Sequence, residues 1–374
     1  MKLNIVSLDN PFPPNYGGAI DIFYKLKSLS GQGYKIYLHC FYSNRKPRPE
    51  LESYCKQVYY YQRKSIIKSM FSLKFPFVVS SRHSKELLSN LLKNNYPILF
   101  DGLQGSIVSQ KDELSNRKKY LRPHNIESDY MNQLSGAEKN WIRKFGLRLD
   151  SYRYKAFEKK LNHYEAIFTI AKADQKFYEA YHNDVYLLNP FHGQDKVQSQ
   201  LGFGNYILYH GNFDVSENLK AASFLIKNVF NNICFPIKIA GKNALNKLQP
   251  YLNNTNIEII NDPNSEDMQK LILNAHINIL PTFQATGFKL KLINSLFLGR
   301  HCIVNSAMIA PNPILDKLCI VCNSSDEFIN KIVETIKLPF SKKDIQNRKD
   351  ILLKHLNDLE NSNVLTERIC KSIC

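Results

Sequence analysis

The sequence predicts an α/β protein built from two doubly wound domains. Three observations carry this. Short apolar runs alternate with stretches of helical periodicity along the chain, several of those runs end in a glycine turn, and 374 residues suffice for two domains of ordinary size. Apolar content of 44% and charged content of 22% exclude a disordered or fibrous chain. The expected division is residues 1–195 for a first domain and 196–345 for a second. Residues 346–374 read as a helical tail that could return to the first domain.

Residues 4–8 read as the first strand; the run from Met1 is too short and too quickly polar for a signal peptide. Prolines and paired glycines then break residues 9–18, and Gly17-Gly18 delivers the chain into a helix over 19–29. Residues 33–40 give a second strand, which completes a βαβ unit and implies a parallel sheet. No GxGxxG is present, so this is not the dinucleotide fingerprint. Tyr96 to Gly102, and the run from Lys119 to Arg122 ahead of Pro123-His124-Asn125-Ile126-Glu127-Ser128, both read as strands that end in polar turns. Residues 130–182 read as mainly helical with a strand over 166–170. Residues 192–202 are polar and read as a linker.

The second half repeats the pattern. Strands are expected at 206–210, 236–240 and 256–260. They run into turns at Gly211-Asn212, Gly241-Lys242 and Asn261-Asp262. Next comes Ala275 to Leu280, a buried strand. It leads into Pro281-Thr282-Phe283-Gln284-Ala285-Thr286-Gly287-Phe288-Lys289, a helix that includes Lys291 and Asn294, and a strand at Cys302-Ile303-Val304. Gly287 marks the junction of loop and helix, where backbone can approach a ligand. The first helical N–H groups can face an anion. Acids are the usual choice at that end, so Lys289 and Lys291 point to a phosphate site. In an open α/β sheet, ligands bind at the carboxyl ends of the strands, where all these turns fall. Two such domains suit a phosphorylated donor in one half and an acceptor in the other, with a cleft between them.

The net charge of +17, from 50 basic and 33 acidic residues, suggests an anionic partner: nucleic acid, a phosphorylated substrate or a membrane surface. The basic residues are spread out rather than gathered in a tail. Two stretches, 59–77 and 139–148, interleave bases with large apolar groups, as a segment lying on an anionic membrane would. Covering a core edge with solvated lysines is the alternative. No run reaches transmembrane length. The eight cysteines are scattered; Cys40, Cys234 and Cys302 read as core residues. Cys319 and Cys322 form a lone CxxC without a second pair, a weak signal for zinc or redox chemistry. A reduced, cytoplasmic chain is the default.

The combination of Pro13-Pro14-x-x-Gly17-Gly18, Arg122-Pro123-His124-Asn125-Ile126-Glu127-Ser128 and Gly287-x-Lys289-x-Lys291 resembles the retaining glycosyltransferases of family four, "glycosyl transferases group 1", in their bacterial polysaccharide and lipopolysaccharide branch. The resemblance spans nearly the whole chain. It implies the GT-B fold: two doubly wound, Rossmann-like domains that face a central cleft, the first on the acceptor side and the second holding the donor. It implies hexosyl transfer from a nucleotide-diphosphate sugar to a glycan or polyprenyl-linked glycan, in lipopolysaccharide, capsule or other surface polysaccharide synthesis. No cofactor and no metal are expected, since cations and helix N–H groups stabilise the leaving diphosphate. Catalytic candidates are His124, Gly18 and Lys289, with Asp101 and Glu127 orienting His124 or the acceptor. Candidates for holding the donor are Gly17, Gly18, Gly211, Asn212, Gly241, Lys242, Asp262, Thr286, Gly287, Phe288, Lys289 and Asn294. The family usually carries two glutamates eight positions apart in the last motif; here Thr286 and Asn294 stand there. The basic residue usual after the first glycine turn of the donor domain is replaced by Asn212-Phe213-Asp214. The expected location is the cytoplasm, peripheral on the inner face of the plasma membrane, with no nucleic-acid partner. The alternatives are a sugar-nucleotide epimerase of the same fold and a non-catalytic nucleotide- or nucleic-acid-binding protein.

Overall fold

The computed structural model describes residues 1–65, 75–252, 257–284 and 288–371. It divides into two compact units, one of residues 1–193 with 358–374 and the other of residues 194–357. Residues 346–357, read from the sequence as part of a tail, pack with the second unit. The helix Asp358–Lys371 packs with the first, where Ser28 Oγ donates to the Asp358 carbonyl at 3.1 Å.

Unit 1 holds a sheet of seven strands in the order β3-β2-β1-β4-β5-β6-β7. These are β1 Lys2–Ser7, β2 Lys35–Tyr42, β3 Gln57–Gln62, β4 Ile98–Asp101, β5 Lys119–Arg122, β6 Ala166–Thr169 and β7 Val185–Leu187. Unit 2 holds six, β8 Ile207–His210, β9 Ile237–Gly241, β10 Ile257–Asn261, β11 Ile277–Leu280, β12 His301–Val304 and β13 Ile320–Val321, in the order β10-β9-β8-β11-β12-β13. The described pairings are all parallel. Each unit is therefore doubly wound, with its strand order reversing at β1/β4 and at β8/β11.

Both sheets are buried on two faces, so their central strands are continuous apolar runs rather than alternating ones. In unit 1, Val6, Phe100 and Leu121 face one core, while Ile5, Leu99 and Tyr120 face the other. In unit 2 the larger core gathers Ile207, Ile239, Ile279 and Ile303 with Leu292 and Leu296 of the helix Leu290–Leu298.

Three expectations change. The stretch from Tyr59 begins inside an edge strand, β3, because its tyrosines pair into the sheet: Tyr61 is buried, with its hydroxyl 2.8 Å from His39 Nδ1 and 2.9 Å from Asn90 Nδ2. Residues 66–74 of that stretch lie outside the described residues. Cys234 is exposed rather than a core residue. Cys319 and Cys322 bracket β13 as free thiols, the first half-buried and the second buried. The expected linker at 192–202 is fastened at several points. Asp358 accepts from the His192 N–H at 3.1 Å, and the Gly193 N–H donates to it at 2.8 Å. The buried Arg348 donates to Ser199 Oγ at 2.8 Å. No helix among the described residues is long and apolar enough to cross a membrane.

Candidate functional site

In unit 1 the carboxyl ends of three adjacent strands are in register: Ser7 lies beside Asp101, and Asp101 beside Arg122. After β1, the loop of residues 8–16 delivers the chain into the helix Gly17–Gly31. Arg45, which follows β2, ties this loop down. Its Nε donates to the Asn10 carbonyl at 2.7 Å, Nη1 donates to Asn15 Oδ1 at 2.7 Å, and Nη2 donates to the Pro13 carbonyl. Gly17 is exposed as the first helical residue, and Gly18 follows it half-buried.

A closed set of charges lies beneath this helix. Asp21 accepts from Arg122 Nε at 3.0 Å and Nη2 at 2.9 Å, from Lys25 Nζ at 3.1 Å, and from the Phe191 N–H at 2.7 Å. Lys25 also donates to Asp101 Oδ2 at 2.5 Å. Arg122 also donates from Nη1 to the Leu188 carbonyl at 3.1 Å and from Nη2 to the Asn189 carbonyl at 3.2 Å. All four charged side chains are buried. Burial by itself would raise both carboxyls. The Arg122 and Lys25 charges outweigh it at Asp21, and Lys25 with the His124 hydrogen bond does so at Asp101, so both stay below the usual carboxylate range.

His124 projects from the turn after β5 into this set. Its Nε2 lies 2.8 Å from Asp101 Oδ1. An ionised carboxylate only accepts, so Nε2 carries the proton that faces Asp101. Nδ1 is on the Gly18 side: a Cβ added at Gly18 would sit 3.3 Å from it and 3.2 Å from the Tyr16 ring. Gly18 thus leaves the space against the one imidazole edge that the charge set does not use. Asp21, Asp101 and His124 have the residue types and spacing of metal ligands. Both carboxylates already serve Lys25 and Arg122, however, and those charges oppose a further cation.

Glu127 is placed elsewhere. It opens the helix Glu127–Ala137 with its side chain buried, and its neighbours are Glu158, Gln104, Arg82 and Asn125, not His124 or Asp101. Glu158 Oε1 accepts from the Glu127 and Ser128 N–H groups at 2.6 and 3.3 Å, which caps that helix. Burial, then the adjacent Glu158 charge, pushes the Glu127 carboxyl up to about 8; burial pushes Glu158 up to about 7.

In unit 2 the switch point of the sheet gathers β8, the helix Ser216–Asn228 and the N-terminus of the helix Leu290–Leu298. Lys289 is the residue just before that helix and Lys291 its second residue. Lys291 Nζ donates to Asn218 Oδ1 at 2.9 Å and lies 5.1 Å from the centre of the Tyr209 ring. Lys289 Nζ lies 3.6 Å from Glu217 Oε1. Burial lowers Lys291 to about 8, with Glu217 opposing the shift and Lys289 adding to it; burial also lowers Lys289, again opposed by Glu217. Below these lysines, His210 Nε2 lies 3.1 Å from Ser295 Oγ. Burial, then Lys291, drives the His210 imidazole down to about 3, so it adds no charge. Thr286 and Gly287 lie outside the described residues.

The remaining donor-side candidates form a neighbouring, self-satisfied set. Gly241 has φ +151, and a Cβ there would fall 1.8 Å from the Gly211 carbonyl oxygen; a Cβ on Gly211 would meet the Asn218 side chain at 2.9 Å. Gly241 thus lets the turns of β8 and β9 pack in backbone contact, and Gly211 leaves room for the Asn218 side chain of the next helix. Asn212 Oδ1 accepts from the Asp214 N–H at 3.0 Å. Lys242 pairs with Asp214 at 2.9 Å on the exposed rim. Asp262 braces the turns, accepting from the Asn243 N–H at 2.8 Å. Phe288 packs half-buried on the core. Asn294 lies further along the helix, with Gln194 Nε2 donating to its Oδ1 at 3.5 Å. A cavity of about 620 Å³ opens elsewhere, beside the helix Ser265–Asn274, and of the candidates only Asp262 lines it.

Sequence reasoning passed over Asp21, Lys25, Arg45 and the role of Asn218. The first two had a signal, since an acid and a base four residues apart sit among the inward positions Ala19, Ile22, Phe23 and Leu26. Arg45 and Asn218 had none, because their partners lie in other elements.

No known family profile matches the chain. An uncharacterized 44.6 kDa protein in the cps region of Klebsiella pneumoniae is 27% identical over 317 residues, which is 79% of this chain and 80% of that protein. Among solved structures, a sucrose-phosphate synthase from Thermosynechococcus elongatus matches with a TM-score of 0.71 at 12% identity, covering 100% of this chain and 99% of that one. TarM of S. aureus, in complex with fondaparinux, alpha-GlcNAc-glycerol and UDP, matches with a TM-score of 0.65 at 9% identity, covering 98% and 99%. An E. coli trehalose-6-phosphate protein bound with UDP-2-fluoro glucose matches with a TM-score of 0.63 at 9% identity, covering 98% of each. At these identities the likeness shows the fold: each unit is a Rossmann-like parallel sheet wrapped by helices, as in the GT-B fold of these neighbours.

Proposed function

We propose that this protein is a retaining glycosyltransferase that moves a sugar from a nucleotide-diphosphate sugar to a glycan or lipid-linked glycan in surface polysaccharide synthesis. Unit 2 binds the donor, and unit 1 supplies His124 and the Gly17-Gly18 loop. One observation carries the reading: two half-buried lysines, Lys289 and Lys291, stand at one helix N-terminus at the switch point of the unit 2 sheet. The leaving diphosphate would replace Glu217 as their anion and gain charge-assisted hydrogen bonds as negative charge develops. Lys291 takes the place of the basic residue missing from Asn212-Phe213-Asp214, since its ammonium reaches Asn218 beside that turn. His124 turns its Nδ1 edge to a sugar hydroxyl, and Asp101 holds the ring. Asn294 contributes a neutral polar group where the family has an acid. A relative in a cps region agrees with a role in surface polysaccharide synthesis.

The test is a panel of nucleotide-diphosphate sugars incubated with and without lipid-linked glycan acceptors. Acceptor-dependent release of the nucleoside diphosphate, with the donor's anomeric configuration kept in the product, is expected. Conversion of the donor alone would replace this reading with an epimerase, and binding without turnover with a non-catalytic protein.

A further inference from the structure

The helix Trp141–Phe157 in unit 1 carries a surface that no part of the reaction uses. Its inner face is buried through Asp150, Ser151, Arg153, Tyr154 and Phe157. Its outer face carries Trp141, Ile142, Phe145 and Tyr152, exposed to 77%, 61%, 67% and 73%. At about 100° per residue, Trp141, Phe145 and Tyr152 fall within about 40° of one another around the helix axis. Lys144, Arg148 and Lys155 occupy the strip beside them. From residue 139 to residue 160 the acids are Asp150 and Glu158, both buried, while Lys139, Arg143, Arg148, Lys155, Lys159 and Lys160 are exposed. The surface is therefore an aromatic stripe edged by positive charge, with no exposed carboxylate along it.

We infer that this helix docks flat on an anionic lipid bilayer, its aromatic stripe at the headgroup–acyl boundary and its basic strip against the lipid phosphates. The chemistry favours lipid over another copy of this chain, which would bring like charges together. An amphipathic helix of this kind binds through buried apolar area together with attraction to anionic headgroups. Asn140 keeps the helix formed up to its first turn, accepting from the Ile142 and Arg143 N–H groups at 3.0 and 3.1 Å. Trp141 and Phe145 thus stand on a fixed scaffold. This inference does not depend on the transferase reading, because it concerns a surface apart from the candidate site residues and needs no substrate.

Trp141 is the single tryptophan of the chain, so its fluorescence reports this surface alone. The full-length protein is mixed with phosphatidylcholine vesicles, with and without phosphatidylglycerol, and followed by emission and sedimentation. Emission is expected to shift to the blue and the protein to sediment only with the anionic vesicles, less so at raised salt. Arg148→Ala with Lys155→Ala should weaken binding roughly twenty-fold, at about five-fold per neutralised base. Phe145→Ala with Tyr152→Ala should weaken it at least about ten-fold from lost apolar burial. Circular dichroism of each variant checks that the fold is kept. Emission and sedimentation that ignore anionic vesicles would overturn the inference. So would a blue shift that grows with protein concentration without lipid and tracks a doubling of mass, which would make the surface a contact between copies.

Discussion

The two switch points differ in how their charge is balanced. In unit 1 two carboxylates, Asp21 and Asp101, meet two bases, Lys25 and Arg122, and all four are buried. In unit 2, among the described residues, one carboxylate, Glu217, faces two lysines, and burial drives both lysines below their ordinary values despite its support. The first arrangement is complete and fixes a neighbour, His124, in one orientation. The second carries excess positive charge in a low-dielectric place, and a bound anion would relieve it. The same chemical groups make a scaffold in one unit and a receptor in the other, and the decisive variable is the ratio of acids to bases.

Parallel substitutions test this contrast. Arg122→Met leaves Asp21 short of its main partner inside the sheet edge, and breaking a buried pair of this kind costs about 3–5 kcal/mol. Denaturant unfolding should show that loss. A drop under 1 kcal/mol would mean the unit 1 charges are not the scaffold described. Lys291→Met removes a half-buried cation whose charged form is disfavoured, so stability should hold or rise, while affinity for a nucleoside diphosphate falls by about 1.5–3 kcal/mol, roughly ten- to a hundred-fold. Calorimetric titration measures it. Unchanged affinity would remove Lys291 from the donor site.

The same lysine gives a pH signature. Lys291 titrates near 8 in the free protein, and a phosphate binds its charged form better. Diphosphate affinity should therefore be flat below about 7, weaken as pH rises past 8, and lose that dependence in Lys291→Met. The Glu127–Glu158 pair shifts the other way. With Glu127 raised from 4.5 to about 8, the folded protein holds a proton that the unfolded chain has lost. Stability from this group is present below about 4.5 and declines as pH rises towards 8. Glu127→Gln should flatten that decline, gaining on the order of 4 kcal/mol at pH 9 relative to pH 5. A wild-type melting temperature that does not fall over this range would show that Glu127 is not held protonated in the folded protein.

Much of the architecture was legible because a doubly wound sheet writes itself locally. Runs such as Ile5-Val6, Ile98-Leu99-Phe100 and Ile277-Asn278-Ile279-Leu280 are buried strands, and the glycine turns after them follow from connectivity. What was not legible depends on distant pairing. β3 hides behind exposed-looking tyrosines whose partners, His39 and Asn90, come from other elements. Glu127 lies three residues from His124 and reads as its companion. Yet the turn between them sends it into the helix that Glu158 caps, while Asp101, distant in sequence, meets the imidazole. Gly211 and Gly241 read as ligand-facing turns, and the structure adds that Gly241 lies against the Gly211 backbone and Gly211 against the Asn218 side chain, which no single segment reveals.

The smallest expected effect separates scaffold from function within unit 1 itself. Gly18 lies in the first turn of the helix Gly17–Gly31, with no left-handed backbone angle to forbid a side chain. Alanine there favours the helix by up to about 1 kcal/mol over glycine. Its methyl would also sit 3.3 Å from His124 Nδ1 and 3.2 Å from the Tyr16 ring, closer than ordinary contact. Asp101 holds the opposite imidazole nitrogen at 2.8 Å, so the ring has little room to retreat. The two effects nearly cancel in stability, and the melting temperature of Gly18→Ala should stay within about 3 °C of wild type. They do not cancel at the sugar, because the methyl fills the space that a hydroxyl needs at Nδ1. Acceptor-dependent turnover should fall about ten-fold, the loss of one ordinary hydrogen bond, with diphosphate affinity unchanged. If turnover is kept and stability lost, Gly18 serves packing alone, and the Nδ1 edge of His124 is not where the sugar binds.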